Sequence, residues 1–553
     1  MHLMMLISRL YDSTIRFRGF SLQPFVHPEP SIPIDGSFEV PFTENQAHHG
    51  TMNESTKVEG GQCTYTFCAI AAQNTAQTAD WCNVARVTIN DIPGLVLLEV
   101  FDIYLRYAFE REGWRALVHV CQKWRNIVFG SPHRLHLQLF CTARTPVRKT
   151  LDVWPLLPIV VLGSELEKCG GDNIIAALEH TDRIYKLIFD FFVVSILRWE
   201  KVLAAMLQPF PALTHLVLYL ILESAPVVPA SFLGGYAPQL QTLELQGISF
   251  PGLPKLLLST THLRSLCLRD IPPSGYISPK AMVTSLSLLT RLENLEIRFI
   301  SPQSRPDRRT RRPPPLTRTL LPVLTTLQFQ GVSEYLEDLV VQIDTPLLKR
   351  LSITFSHQLI FDTPQVTQFI DRTPRLKLKA HAGAEAHLAF SDWQVEVKLP
   401  RWELGTKLGF AISCRQSDWQ LSSVAQICSS SFPQSLISPV EYLVIKRGLP
   451  DLHWQDDVEN SQWLEVLQPF TAVEQLYLSR EIVSHFAPVL KELVEEGATE
   501  VLLPALQILS LGEPLPSGPV KKIIEQFVAA RQLASHPIAL SVWDSTYCAA
   551  RSE

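Results

Sequence analysis

The hexapeptide LQTLEL (Leu240–Leu245) carries apolar residues at its first, fourth and sixth positions. In an extended chain the fourth and sixth side chains share one face, and the fifth points away. The same form recurs as IYKLIF at Ile184, LTHLVL at Leu213, LRSLCL at Leu263, LENLEI at Leu292, LTTLQF at Leu324 and LKRLSI at Leu348. It continues as VEYLVI at Val440, VEQLYL at Val473 and LQILSL at Leu506. The steps are 29, 27, 23, 29, 32 and 24 residues over the first seven copies, and 33 for each of the last two. Recurrence of one form at about 20 residues or more is the mark of a solenoid, in which each repeat adds one short strand to a shared core. Leu216, Leu243, Leu266, Leu295, Leu327 and Leu351 are then expected to point inward. The alternative is a set of unrelated amphipathic strands in an α/β domain.

Between the strands lie helix-like stretches such as PKAMVTSLSLLTRL from Pro279. The gap from 379 to 439 reads as one or two irregular repeats, with a strand around Leu408 and Ile412. Ile523, Ile524, Phe527 and Val528 mark a closing helix, followed by a final strand that caps the array.

Composition narrows the class. A chain of 553 residues exceeds what one hydrophobic core serves, so several units or an elongated array are expected. Hydrophobic residues are 46%, enough for most of the chain to fold. The net charge of −5 argues against nucleic acid as a partner. The ten cysteines contain no CxxC pair, which excludes the common zinc and thioredoxin patterns. The start MHLMMLISRL lacks a basic n-region and a cleavage site, so a cytoplasmic or nuclear protein is expected, with no membrane partner. The sequon at Asn53 then carries no glycan, and residues 1–86, rich in Pro, Gly, Ser, Asn and His, read as a flexible extension.

The character changes at Ile89. In INDIPGLVLLEVFDIYLRYAF, Asn90 and Asp91 suit a helix cap, Pro93 suits a first turn, and Leu97, Leu98, Phe101 and Leu105 recur at helical spacing. The next stretch, GWRALVHVCQKWRNIVF, places Trp114, Leu117, Val118, Cys121, Trp124 and Val128 on one stripe. Cys121 near His119 has the residue types of a nucleophile or a metal site. Its place on the stripe, with no partner at ligand spacing, reads instead as a packed core position. Ser131-Pro132 stops the helix.

No GxxxxGK, GxGxxG, HExxH or GxSxG pattern occurs. The chain is therefore read as a non-enzyme with no cofactor or metal; an enzyme with a site invisible in sequence is the third class. The basic run Arg305, Arg308, Arg309, Arg311 and Arg312 reads as a solvated loop, or as a nuclear signal or phosphate-binding loop. The outward positions of the strands are polar with a few aromatics, which suits a protein partner better than a small molecule. His215, Tyr219, Glu244, Arg269, Glu296, Arg298, Arg350, Tyr442, Lys446 and Tyr477 are the candidate target-binding residues.

The helical segment resembles an F-box. Ile92-Pro93 followed by Leu97, Leu98, Val100 and Phe101, then Val120-Cys121-Gln122-Lys123-Trp124, then Ser131-Pro132 with Leu135, carry the resemblance in order. Leu95 stands where that family usually has Glu, and His136 where it usually has Trp. The later pattern resembles irregular leucine-rich repeats, and the whole order is similar to the F-box-like families of mushroom-forming fungi. The resemblance implies an α/β architecture: a short N-terminal helical F-box unit over 87–140, a connecting segment over 141–180, a leucine-rich-repeat solenoid with a parallel concave sheet over 181–520, and a cap and tail over 521–553. It implies the substrate-recognition subunit of a Skp–cullin–F-box ubiquitin ligase, with a Skp adaptor, a cullin and an unknown target protein as partners. Ile92, Pro93, Leu97, Leu98, Val100, Phe101, Val120 and Trp124 would form the adaptor-binding face. The alternative is a repeat scaffold with a degenerate F-box and no ligase role.

Overall fold

Each recurring hexapeptide runs into a strand of one sheet. The computed structural model describes residues 91–543 apart from 108–112, 132–137, 143–145, 165–170, 192–195, 221–226, 301–316, 357–360, 362, 377–383, 392–393, 402–405, 414–419, 448–459, 498–502 and 514–516. The expected extension (1–86), the arginine run at 305–312, and Pro132, Leu135 and His136 lie outside the described residues.

The strands are β1 (Gln138–Phe140), β2 (Ile159–Ser164), β3 (Ile184–Phe191), β4 (His215–Leu220), β5 (Thr242–Gln246), β6 (Ser265–Ile271), β7 (Asn294–Phe299), β8 (Thr319–Leu320) and β9 (Thr326–Gly331). They continue as β10 (Ile343–Asp344), β11 (Arg350–Ser356), β12 (Glu385–Phe390), β13 (Gln394–Arg401), β14 (Thr406–Ser413), β15 (Tyr442–Arg447), β16 (Gln475–Leu478), β17 (Ile508–Gly512) and β18 (Ala539–Trp543). Sixteen of them form one sheet, in the order β1-β2-β3-β4-β5-β6-β7-β9-β11-β14-β13-β12-β15-β16-β17-β18; β8 and β10 pair separately.

The register explains the sequence period. Leu187, Leu216, Leu243, Leu266, Leu295, Leu327 and Leu351 are neighbours across seven strands, each at most 1% exposed. Two residues further along each strand, Phe189, Leu218, Leu245, Leu268, Ile297, Phe329 and Ile353 form a second buried ladder. The leading leucines 213, 240, 263, 292, 324 and 348 close a third, each with its N–H bonded to the carbonyl three residues earlier. The inward leucines are as expected, and helices such as Pro279–Leu286 and Pro364–Arg372 contribute buried residues to the same core. Gly247 ends β5 at φ +69°, where an added Cβ would lie 2.0 Å from the Leu220 carbonyl oxygen, so only glycine fits.

The expected parallel sheet is found, with one strand reversed. β13 runs antiparallel to both β12 and β14, while every other pairing in the sheet is parallel. The reason is connection length. A parallel neighbour needs a crossover of about a dozen residues or more, and the links from β12 to β13 and from β13 to β14 are far shorter, so each makes a hairpin. The 379–439 gap is thus a reversed strand between two forward ones. The sheet also starts earlier than residue 181: β1 and β2 lie in or beside the stretch read as a connecting segment. At the other end the helix Pro519–Leu533 and β18 continue the array.

Among the described residues, three helices precede the sheet, α1 (Gly94–Tyr107), α2 (Gly113–Val118) and α3 (Gln122–Gly130). Their own core holds Leu97, Leu98, Phe101, Trp114, Leu117, Val118 and Val128. Trp114 meets Trp154 edge-on at 4.7 Å and donates from Nε1 to Gln138 O at 3.2 Å, which joins the unit to the first strands of the sheet. The single stripe expected through Cys121 is broken. Cys121 is extended (φ −160°, ψ 171°) at the start of α3 and only half-buried. The break lets Trp114 and Trp124 approach one core from two helices, Trp124 packing on Phe101 at 4.7 Å.

Leu243→Ala is expected to cost about 2–5 kcal/mol, since it empties a site inside the ladder. Thr242→Ala, on the outer face of the same strand, is expected to shift stability by no more than about 0.5 kcal/mol. Urea denaturation of the full chain separates the two, and equal losses would mean that the strand faces are reversed.

Candidate functional site

On the face away from the leucines, the register aligns Val217, Glu244, Cys267, Glu296, Gln328 and Ser352 in one row. The next row along begins Tyr219, Gln246, Arg269. Across these rows five of the expected target-binding residues meet in one network. Tyr219 Oη donates to Glu244 Oε2 at 2.6 Å. Arg269 Nη1 donates to that same phenol oxygen at 3.1 Å and to Glu244 Oε2 at 3.2 Å. Its other edge grips Glu296 bidentately, Nε to Oε1 at 2.9 Å and Nη2 to Oε2 at 2.8 Å. Arg298 Nε adds a contact to Glu296 Oε1 at 2.5 Å, and its Nη2 donates to Gln328 Oε1 at 3.3 Å.

Glu296 is the centre of this arrangement. It is 5% exposed, so it cannot be the direct target contact expected from sequence. A carboxylate that deep is costly unless paired, and two guanidiniums pair it. Two acids and two arginines leave the network neutral. Hydrogen bonding to Glu296 holds the Arg269 guanidinium above its ordinary range, against the opposing effect of burial. The Tyr219 phenol is also raised, first by burial and then by its bond to Glu244. Burial likewise pushes the Cys267 thiol up to about 11, so the thiol lying among these charges is held protonated at neutral pH.

The other candidates lie apart. His215 bonds through Nδ1 to Thr214 Oγ1 at 2.8 Å, one row from the network. Arg350 is exposed at the start of β11. Tyr442 and Lys446 sit on β15 and Tyr477 on β16, beyond the reversed strand. From β11 to β15 is four strand steps, roughly 19 Å at about 4.8 Å per step. Tyr477 is 9% exposed and offers little surface. Sequence reasoning missed the pairs His387–Glu385 at 2.6 Å and Lys398–Glu396 at 2.7 Å on the reversed-strand insert. The polar-apolar alternation of EAHLAF and QVEVKL was the available signal.

The expected adaptor face divides. Leu97, Leu98 and Phe101 are buried in the helical unit, at 2%, 7% and 0% exposure, and cannot touch a partner directly. Ile92, Val100 and Trp124 are half-buried, while Pro93 and Val120 are exposed. The helical period gives the reason: 97, 98, 101, 104 and 105 share one side of α1, and Val96 and Ile103 fall on the opposite side. Among the described residues of the unit, Leu95, Val96, Ile103 and Val120, at 75%, 49%, 48% and 54% exposure, are the large apolar residues presented to solvent.

Among the described residues no group of three His, Cys, Asp or Glu is placed to hold a metal ion, and no helix is long and apolar enough to cross a membrane. No protein-family model matches the chain, and no curated protein matches it in sequence. Among solved structures the chain is similar to the leucine-rich repeat-containing protein LegL7 from Legionella pneumophila, at 11% identity and a TM-score of 0.23, over 71% of this chain and 97% of that one. The superposition is loose, and the repeat architecture stands on this chain's own register and burial.

Glu296→Ala is expected to destabilise the chain by about 1–3 kcal/mol, because two guanidiniums lose a shared acceptor. Arg350→Ala should shift stability by no more than about 0.5 kcal/mol. A neutral Glu296→Ala in thermal unfolding would show that the network holds nothing together. Cys267 gives a pH test. Its thiol stays protonated to about 11 in the fold, against 9.0 ordinarily, so the unfolded chain loses that proton first. Stability from this group is full below pH 9 and lost as pH rises towards 11. Cys267→Ala should flatten that part of the stability–pH profile, and an unchanged slope would exclude the effect.

Proposed function

We propose that this chain is the substrate-recognition subunit of a Skp–cullin–F-box ubiquitin ligase. Residues 87–140 would dock a Skp adaptor, and through it a cullin, while the outer face of the sheet holds a target protein. The observation that carries this reading is the exposed apolar set Leu95, Val96, Ile103 and Val120 on a small helical unit whose core is already closed by Leu97, Leu98, Phe101 and Trp114. Apolar side chains kept outside a closed core suit a protein contact. The F-box-like order of motifs supplies the kind of partner, and the broad polar sheet face supplies a place for the target. In this reading the chain makes and breaks no covalent bond, needs no cofactor, and acts in the cytoplasm or nucleus.

A scaffold role without ligase activity is the second reading. It is favoured by the burial of Leu97, Leu98 and Phe101, which shows that much of the F-box-like pattern serves the unit's own packing.

Co-precipitation of a Skp adaptor with the tagged full-length chain separates the two. Val96→Asp combined with Ile103→Asp should lower recovery by about tenfold or more, since loss of about 1.4 kcal/mol is already tenfold. Both residues are exposed, so the circular dichroism of the variant should match the parent chain. Undiminished recovery would rule out this face, and no recovery with the parent chain would leave the scaffold reading.

A further inference from the structure

The polar network does not fill the outer face evenly. Beside it, where β7, β9, β11, β14 and β13 run side by side, lies a depression of about 390 Å³. Its origin is in the register. Ser352 is paired with Gly409 and Thr354 with Ala411, so β11 and β14 offer a floor of short side chains two strands wide. Long side chains border it: Gln328 and Gln330 on β9 and Arg298 on β7 at one side, Gln394 on β13 at the other.

We propose that this depression is a carboxylate-binding pocket, in which Arg298 receives an acidic side chain of the target protein. The inference rests on reading the outer face as the target surface, and it names the chemistry of that target.

The lining supplies the argument. Ser352, Thr354 and Ser413 line the pocket, and none of their hydroxyls hydrogen-bonds to another described residue. Three carboxamides add further N–H donors. No carboxylate is found among the described residues lining the pocket.

Arg298 is the one charged group in that lining, with its side chain 40% exposed. Glu296 occupies its Nε and Gln328 one Nη2 proton, which leaves donors at the outer end of the guanidinium fork. A ligand carboxylate can therefore bind without displacing Glu296. A cation would meet the Arg298 guanidinium, while the nearby carboxylates are already engaged, Glu296 by Arg269 and Arg298 and Glu396 by Lys398. An apolar side chain would bury hydroxyls and amides with no acceptor. A carboxylate, with two oxygens that accept several hydrogen bonds each, matches a lining rich in donors.

The test uses the full-length chain and a phage-displayed library of random dodecapeptides. Enriched peptides are expected to share an Asp or Glu at one position. Replacing that residue by its amide should weaken binding about tenfold or more. Arg298→Gln should bring the acid and amide peptides to within about twofold of each other. Thr354→Trp, which fills the floor and removes none of the charged groups, should abolish binding of both. If peptides bind and are lost in Thr354→Trp, yet acid and amide forms bind equally, the target-surface reading stands and the carboxylate assignment is wrong. If binding is indifferent to both substitutions, the pocket is not the site. If no peptide is enriched above an unrelated protein, both readings are overturned.

Discussion

A six-residue strand with two inward leucines cannot bury them alone, and most of this structure follows from that. Each strand needs the strand before it and the strand after it to complete the cover. The backbone enforces the step. The carbonyl of Thr214 accepts from both Gln241 and Thr242 N–H, that of Gln241 from Arg264 and Ser265, that of Arg264 from Glu293 and Asn294, and that of Glu293 from Thr325 and Thr326. This shared acceptor, one per repeat, sets the register that aligns the leucines. Stability in such an array is a sum of neighbour contacts, so an error in one strand is felt in the next.

The same register that aligns leucines on one face aligns polar residues on the other. Side chains from strands distant in sequence become neighbours there, as with Tyr219 and Arg269, 50 residues apart. Packing forces the inner face to be nearly uniform. The outer face has no such requirement, and it carries charge where charges can be paired. Glu296 illustrates the condition: it is buried only because Arg269 and Arg298 converge on it from the neighbouring strand and its own. Where the short residues of β11 and β14 meet, the same freedom leaves a hollow.

Much of the fold was legible in the sequence. The apolar hexapeptide locates ten strands, because its period of two reports directly which side chains are buried. Leu97, Leu98 and Phe101 at helical spacing locate a helix for the same reason, at the helical period. Less legible were β1 and β2, where QLF and IVVLGS lack the leading apolar residue that marks those ten. The reversed strand β13 was read as an irregular repeat, since alternation alone does not report direction.

The sequence by itself determined which residues turn inward on the ten strands that the hexapeptide marks, because burial of a leucine is favourable whatever its neighbours are. It also placed Tyr219, Glu244, Arg269, Glu296 and Arg298 on the opposite face. Only the tertiary structure decided how they meet. Pairing depends on strand order and register, which join residues 25 to 50 positions apart, and no local pattern encodes those distances. It also decided which apolar residues of the helical unit are spent on packing and which are presented. Phe101 and Ile103 are two residues apart and equally apolar, yet one is enclosed by Trp124 and the other faces solvent, since only the arrangement of three helices says which side of α1 is covered.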